Sequence, residues 1–362
     1  MVKTRDSEIH WGVIGAGDVC RVKSAPAMNK IKDSRMVAVM RRDSAKAKAY
    51  AVEHNVPRWY DSADDLLADP EVNAIYIATP PHLHLELTRK SAASGKPVYV
   101  EKPMARTHQE CMEMITVCED AEVPLYVAYY RRALPNYLKI LELVDSDVIG
   151  DVRSVHIQMN NPADPKADTD PANWRLIPEV AGGGYFYDLA CHQLDFLDFL
   201  FGPIIEASGL SVNQAGLYEA EDLVTGTFRF SNGVLGTGSW NFAAGKSTKI
   251  DRTTITGSKG EIAFPTFSGS YVDLVTDVSL SDTVQAGSSR AERFEFEMPQ
   301  HIQQPLIQTI VNDLLKSGWG VSNGTDGHMN KEKIVDVKGE CPSTGITAAR
   351  TNLIMEKLTG NS

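Results

Sequence analysis

The stretch His10-Trp11-Gly12-Val13-Ile14-Gly15-Ala16-Gly17-Asp18-Val19-Cys20 decides the fold. A short apolar run ends in Gly15-Ala16-Gly17, where a strand would turn into a helix. Glycines at such a turn let the backbone approach a pyrophosphate, which the N–H groups and dipole of the helix N-terminus then neutralise. Cys20 stands where the third glycine of the usual fingerprint falls, and it is small enough for close helix packing. Gly-x-Gly alone is equally a tight turn, so its weight comes from its setting.

That setting is an alternation of strand-like and helix-like stretches. Arg35–Met40, Ala74–Ala78, Pro97–Val100 and Pro124–Ala128 are short runs rich in Val, Ile or Tyr that do not alternate. This is how strands buried on both faces read. Helical patterns lie between them at Ser44–His54, His84–Ser94 and His108–Ala121. The expectation is an α/β protein whose residues 8–134 form a Rossmann-type, doubly wound parallel sheet that binds a dinucleotide.

The character changes after Pro135. Val152–Met159, Leu223–Phe230, Val234–Trp240, Lys249–Thr256, Glu261–Phe264 and Tyr271–Val275 alternate or are β-branched. Ser231-Asn232-Gly233 is a hairpin signal. Helices are expected at Tyr137–Ser146, Tyr185–Phe201, Gln304–Lys316 and Gly345–Leu358. Residues 135–362 are therefore expected to form a second α/β domain on a large, mostly antiparallel open sheet, for substrate binding and oligomerisation. Residues 317–340, rich in Gly, Ser and Lys, read as a loop insertion.

The formal net charge is −11, which disfavours a nucleic-acid partner, because binding a phosphate backbone needs a basic face. No apolar run approaches the ~20 residues of a membrane helix. The five cysteines contain no C-x-x-C, as expected of reduced thiols. The N-terminal residues lack a signal-peptide pattern. The expectation is a soluble, cytoplasmic protein with no membrane partner.

Chemistry gathers at the ends of the expected strands. After the second comes Met40-Arg41-Arg42-Asp43. An acid here bonds a ribose 2′-OH and an Arg accommodates a 2′-phosphate, so Arg41 and Arg42 favour NADP over NAD. The plain alternative is two solvated arginines with Asp43 capping the next helix. After the third comes Thr79-Pro80-Pro81-His82-Leu83-His84, a cofactor-side loop with a histidine near the following helix N-terminus. After the fourth comes Glu101-Lys102-Pro103, where a lysine beside an acid is a candidate general acid. In the second half Trp174-Arg175 precedes Gly182-Gly183-Gly184, a run that could let the chain pass close to a ligand. Asp188 and His192 follow at i, i+4 on one helix face, a plausible proton-transfer pair. A zinc site would need further ligands, and no compact Cys/His set is present, so no metal is expected.

GVIGAG, AVMRRD, ATPPHLH, GKPVYVEKP and WR…GGGYFYDLACHQLD, with HIQQPLIQTIVNDLL and CPSTGITAARTNLIMEKL near the end, together resemble the Gfo/Idh/MocA family of oxidoreductases. The resemblance covers almost the whole chain. It implies Lys102, Asp188 and His192 as the catalytic residues, and a Lys102–Pro103 peptide bond that is often cis. It implies a cofactor held by Gly15, Gly17, Asp18, Val19, Arg41, Arg42, Thr79, Pro80, His84, Glu101 and Lys102, and a substrate met by Tyr130, Arg131, Trp174 and Arg175. The activity implied is hydride transfer between nicotinamide C4 and a carbinol or carbonyl carbon of a sugar, polyol or related cyclic alcohol. Either His192 or Lys102 would move the hydroxyl proton, and the residues do not rank them. Two alternatives keep the cofactor: transient oxidation by a tightly held NAD(P), ending in glycoside cleavage or epimerisation, and a non-catalytic dinucleotide sensor. A homodimer or homotetramer is expected from the sheet face of the second half.

Overall fold

The computed structural model describes residues 8–17, 20–164, 173–277, 289–318 and 341–360. The cofactor candidates Asp18 and Val19 lie outside them, as does the expected 317–340 loop apart from Ser317 and Gly318. The chain packs into two compact units, Met1–Tyr130 with Pro299–Ala349 and Arg131–Met298 with Arg350–Ser362.

The first unit holds β1 (Ile9–Ile14), β2 (Ser34–Met40), β3 (Arg58–Tyr60), β4 (Ala74–Ile77), β5 (Val98–Val100) and β6 (Leu125–Val127). They lie parallel in the order β3-β2-β1-β4-β5-β6, the doubly wound dinucleotide order, whose direction of winding reverses between β1 and β4. β4, β5 and β6 are buried along their whole length, which is why their sequences show no alternation. Trp11 can be buried within β1 because its indole N–H donates to Ser34 Oγ at 3.0 Å. Parallel strands present all their C-terminal ends at one edge, and that edge receives Gly15, Arg41, Thr79 and Lys102.

A cut at residue 135 misses that the chain returns to this unit. Ser343 Oγ donates to Val127 O at 2.8 Å, Val127 N donates to Ser343 O at 3.2 Å, and Tyr126 OH donates to Asp313 at 2.6 Å. These bonds satisfy the outer edge of β6, which would otherwise expose unpaired backbone groups.

The second unit is a sheet of β7 (Val152–Pro162), β8 (Ile204–Val212), β9 (Leu223–Phe230), β10 (Leu235–Ala244), β11 (Ile250–Gly257), β12 (Gly260–Phe264), β13 (Tyr271–Asp277) and β14 (Ser289–Glu295). Their order is β14-β13-β12-β11-β7-β10-β9-β8, antiparallel except where β7 meets β10. Gly233, at φ +91°, closes the expected β9–β10 hairpin. The Tyr185–Phe201 helix covers one sheet face: Phe186 meets Trp240 edge-on at 5.1 Å, and the Trp240 indole donates to Gln193 at 2.7 Å. No helix among the described residues is long and apolar enough to cross a membrane.

Gly226 lies between Gly209 on β8 and Gly238 on β10. A Cβ on Gly226 would lie 2.4 Å from Leu358 Cδ2 and 2.8 Å from Ser208 O. Gly209 and Gly226 thus admit the last turn of the Gly345–Thr359 helix against the sheet, whereas Gly238 makes room for the Trp240 ring. Gly226→Val is expected to cost about 1–3 kcal/mol by overpacking. Thermal denaturation checks this, and an unchanged midpoint would refute the close packing.

Candidate functional site

In the first unit the chain is tightly enclosed at the switch point between β1 and β4. Gly15 has φ +88°, and a Cβ there would lie 2.7 Å from Thr79 Cγ2 and 3.0 Å from the Ala78 backbone. Only glycine suits both the left-handed conformation and the space. Gly17 is the opposite case, since a Cβ there meets nothing nearer than Gly15 O at 3.8 Å. The turn therefore leaves room at Gly17 that no other described residue fills. Cys20 is fully buried beneath the turn, and burial pushes its thiol far above the ordinary range, as suits a packing residue.

Thr79 presents a buried hydroxyl with no hydrogen-bond partner among the described residues. A buried orphan donor beside an open glycine turn is what a missing polar ligand leaves behind. His84 is buried and has Nε2 2.8 Å from Thr79 O and Nδ1 3.0 Å from Met104 O. It joins the two loops from beneath. Two carbonyl neighbours favour its protonated form, yet burial outweighs them and lowers its pKa. Pro80 leads into the turn Pro81–Leu83 that opens the His84–Ala93 helix.

At the end of β2, Asp43 caps the Ser44–Glu53 helix by accepting from Lys46 N at 3.0 Å, which lowers its pKa. The acid is thus turned to the helix. Arg41 is half-buried, Arg42 is exposed, and neither guanidinium has an ion-pair partner among the described residues. Gly17, Arg21, Arg41, Lys46, Ala49 and Tyr50 line a cleft of about 140 Å³. Arg21 pairs with Glu53. The buried Tyr50 hydroxyl has no partner among the described residues, and burial raises its pKa.

At the end of β5 the Glu101 carboxylate is buried. It accepts from Tyr76 OH at 2.5 Å, Gln303 Nε2 at 2.6 Å and Lys102 N at 3.2 Å. Gln303 escaped the sequence reading, although a glutamine just ahead of an apolar helical run was its visible trace. The Lys102–Pro103 bond is cis, and Lys102 itself is half-buried. Tyr130, at the end of this unit's first segment, is buried. The open Gly17, the orphaned Thr79 hydroxyl and the cation-lined cleft together fit a dinucleotide.

In the second unit, Asp188 and His192 lie one turn apart on the Tyr185–Phe201 helix. Asp188 pairs with Arg175 Nε at 3.2 Å, and the Arg175 guanidinium lies 4.5 Å over the Trp174 ring. Three of the expected site residues are therefore brought together. His192 is buried and meets the Phe267 ring edge-on at 5.9 Å. Arg131 is buried too: it donates from Nε to Tyr137 OH at 3.1 Å and from Nη2 to Thr266 O at 3.0 Å. Next to it Arg132 grips Asp195 with bonds of 2.9 and 2.5 Å, both side chains being buried. Burial pushes the Asp195 carboxyl up to about 6 against the pull of Arg132.

The glycine run needs a correction. Gly184 Cβ would lie 2.8 Å from Ala220 Cβ, Gly183 Cβ would lie 2.2 Å from the Tyr187 ring, and Gly184 N donates to Glu221 Oε1 at 3.0 Å. Gly183 and Gly184 make room for the protein's own loop and ring rather than for a ligand. Among the described residues no group of three or more His, Cys, Asp or Glu side chains could hold a metal ion.

Residues 9–129 match the family model for the oxidoreductase family with an NAD-binding Rossmann fold, and residues 137–263 match the GFO/IDH/MocA C-terminal domain. Oxidoreductase P35 of Formosa agariphila is 40% identical over 314 residues, which cover 86% of this chain and 92% of the relative. A levoglucosan dehydrogenase solved with NADH and levoglucosan superposes with a TM-score of 0.75 at 19% identity, over 97% of this chain and 95% of that one. A 3-ketoreductase from Actinomadura kijaniata, solved with NADP and TDP-benzene, superposes with a TM-score of 0.73 at 18% identity, over 96% of each chain. These two share the fold.

The contrast between the two glycines is testable. Gly17→Val should leave the thermal midpoint within a few degrees of wild type and weaken dinucleotide binding at least about tenfold, or 1.4 kcal/mol. Nicotinamide fluorescence measures the affinity, and undiminished binding would mean that the dinucleotide does not use this turn.

Proposed function

The chain belongs to the Gfo/Idh/MocA oxidoreductases, and from that premise we propose that it moves a hydride between a nicotinamide and a ring carbinol or carbonyl of a sugar, polyol or related cyclic alcohol, with NADP preferred over NAD. The observation that carries the reading is the row of strand ends in the first unit, where Gly17, Arg41, Thr79 and Lys102 follow β1, β2, β4 and β5 at one edge. Ligands in open α/β sheets bind at that edge. The sugar substrate class is supported by the family and by relatives named for sugar chemistry, such as the 1,5-anhydro-D-fructose reductase of Ensifer adhaerens.

The cofactor preference is supported by charge. The cleft beside Gly17 has Arg21, Arg41 and Lys46 in its lining and, among the described residues, no carboxylate. Asp43, the acid nearest to Arg41 in sequence, is occupied as a helix cap. A 2′-phosphate in that cleft gains charge-assisted hydrogen bonds, whereas a ribose 2′-OH finds no acid among the described lining residues to accept from it.

When bound, the dinucleotide supplies the hydride acceptor or donor at nicotinamide C4. Oxidation of a carbinol also requires loss of the hydroxyl proton. Lys102 Nζ or the His192 ring takes that proton in oxidation and returns it in reduction. Glu101 fixes the backbone of Lys102 by accepting from its N–H. Asp188, held by Arg175, orients the hydroxyl or His192. Trp174, stacked under Arg175, forms a wall for the substrate.

We also propose a homodimer or homotetramer. Leu210, Val212 and Leu235 are exposed on the sheet face turned away from Trp240, where a second chain would cover them. Sedimentation should report a multiple of one chain's mass, and Leu210→Lys with Leu235→Lys should lower it; a wild-type monomer overturns this.

Lys102→Met should cut turnover by about 10²–10⁴-fold with NADPH affinity within twofold of wild type. Arg41→Ala should weaken NADPH by roughly tenfold or more, as expected of a lost charged hydrogen bond, and leave NADH unchanged. Near-normal turnover in the first variant removes Lys102 from the mechanism. Equal effects on both cofactors in the second remove the 2′-phosphate assignment.

A further inference from the structure

Arg131 stands where the resemblance places a substrate contact, and two of its three guanidinium nitrogens are engaged inside the second unit. Nε goes to Tyr137, Nη2 goes to the carbonyl of Thr266, and its planar face lies 4.6 Å from the centre of the Phe267 ring. What reaches solvent beside His192 is Phe267 itself, 40% exposed.

An exposed phenylalanine is ordinary on its own. This one is held with unusual care. The Asp251 carboxylate accepts from the N–H groups of Thr266, Phe267 and Ser268, at 3.1, 2.6 and 2.8 Å. These bonds and the Arg131 bond to Thr266 O fix the backbone of the β12–β13 loop. Arg131 over the ring and His192 at its side then fix the ring itself. Leaving a Phe ring partly in water forfeits part of the stabilisation that its burial would bring. A rigid aromatic surface beside a proton-transferring imidazole is instead prepared to bind something.

The chemistry of the ring selects its ligand. A phenyl face has no hydrogen-bond donors or acceptors of its own, so it suits a ligand surface made of C–H groups. Pyranoses and cyclitols present such a surface on one face of a closed ring and keep hydroxyls at the rim. An open-chain polyol has no fixed face of this kind.

We infer that Phe267 is a specificity-determining residue, whose exposed face carries the C–H face of a cyclic sugar or cyclitol whose hydroxyl His192 addresses. Asp251 and Arg131 are its positioning residues. The inference rests on the reading of His192 as a substrate-side residue and deepens it by naming a closed ring as the substrate form.

Saturation-transfer NMR on the NADP⁺-loaded protein tests it, with methyl β-D-glucopyranoside and D-glucitol as probes and irradiation of aromatic protein protons. The wild type should saturate the ring protons of the glucoside well above those of D-glucitol. Phe267→Ala should lower the glucoside signal at least fivefold, and Phe267→Trp should restore it. The thermal midpoint and NADPH affinity of Phe267→Ala should match wild type. Equal signals in wild type and Phe267→Ala, no preference for the glucoside, or no rescue by Trp each overturn the proposal. So does a lower midpoint in Phe267→Ala, which makes the ring structural. Failure of the hydride-transfer reading shows elsewhere: Lys102→Met would keep its turnover while the glucoside contact at Phe267 stayed intact.

Discussion

The Glu101 carboxylate is buried at the end of β5, and three donors from separate parts of the chain reach it. A buried carboxylate without such partners costs several kcal/mol or loses its charge. Tyr76 supplies one donor from the neighbouring strand, its ring stacked 4.8 Å from Tyr99. Tyr99 OH in turn donates to Gln303 Oε1 at 2.7 Å, which leaves the Gln303 amide N–H free to face Glu101. The orientation of that amide follows from the network. Gln303 arrives 202 residues after Glu101. The first unit therefore cannot be completed by its first 130 residues, and the return of Pro299–Ala349 is a requirement of this charge as much as of apolar packing. Lys102, whose N–H bonds the same carboxylate, inherits its place from that arrangement.

The second unit solves a similar problem along one helix. Tyr185–Phe201 carries Asp188, Asp195 and Asp198, and each acid meets an arginine from another element: Arg175, Arg132 and Arg350. Two of the acids are almost fully buried. Removing one partner from such a buried pair typically costs about 3–5 kcal/mol, so these contacts specify where the helix sits even where their net contribution is small. His192 lies on the same helix between Asp188 and Asp195 and takes its position from those anchors.

Much of this was legible in the sequence. Continuous apolar runs identify β1, β2, β4, β5 and β6, because parallel strands buried on both faces leave no polar alternation. Ser231-Asn232-Gly233 marks its hairpin because the positive φ of Gly233 is a local requirement. The strands that escaped have weak local signals. β3 is three residues long, and β14, with the sequence Ser-Arg-Ala-Glu-Arg-Phe-Glu, has the charged composition that protects an exposed sheet edge. At the site, the strand-end residues were visible because they follow the strands directly. Gln303, Asp251 and Phe267 were not, since their roles depend on contacts between distant segments. Arg131 shows the same limit from the other side. Its type is right for a ligand contact, but the geometry also gives two of its nitrogens to Tyr137 and Thr266, which its sequence position does not show.

The chain's net charge of −11 opposes an anionic dinucleotide at long range. That opposition is weak at physiological salt, where the screening length is about 8 Å. Among the described residues the charges that line the cleft beside Gly17 are Arg21, Arg41 and Lys46. Arg21 is partly neutralised by Glu53 and Lys46 lies 3.6 Å from Asp43, whereas Arg41 has no such partner among the described residues. In the proposed reading the discriminating charge is the one without an ion-pair partner among the described residues. An arginine already paired within the protein would have to break that pair before gripping a phosphate, and much of the gain would be lost. Arg41 has no such pair to break among the described residues, so under the proposed preference for NADP the choice of cofactor would rest on one guanidinium at a strand end and owe little to the sign of the whole chain.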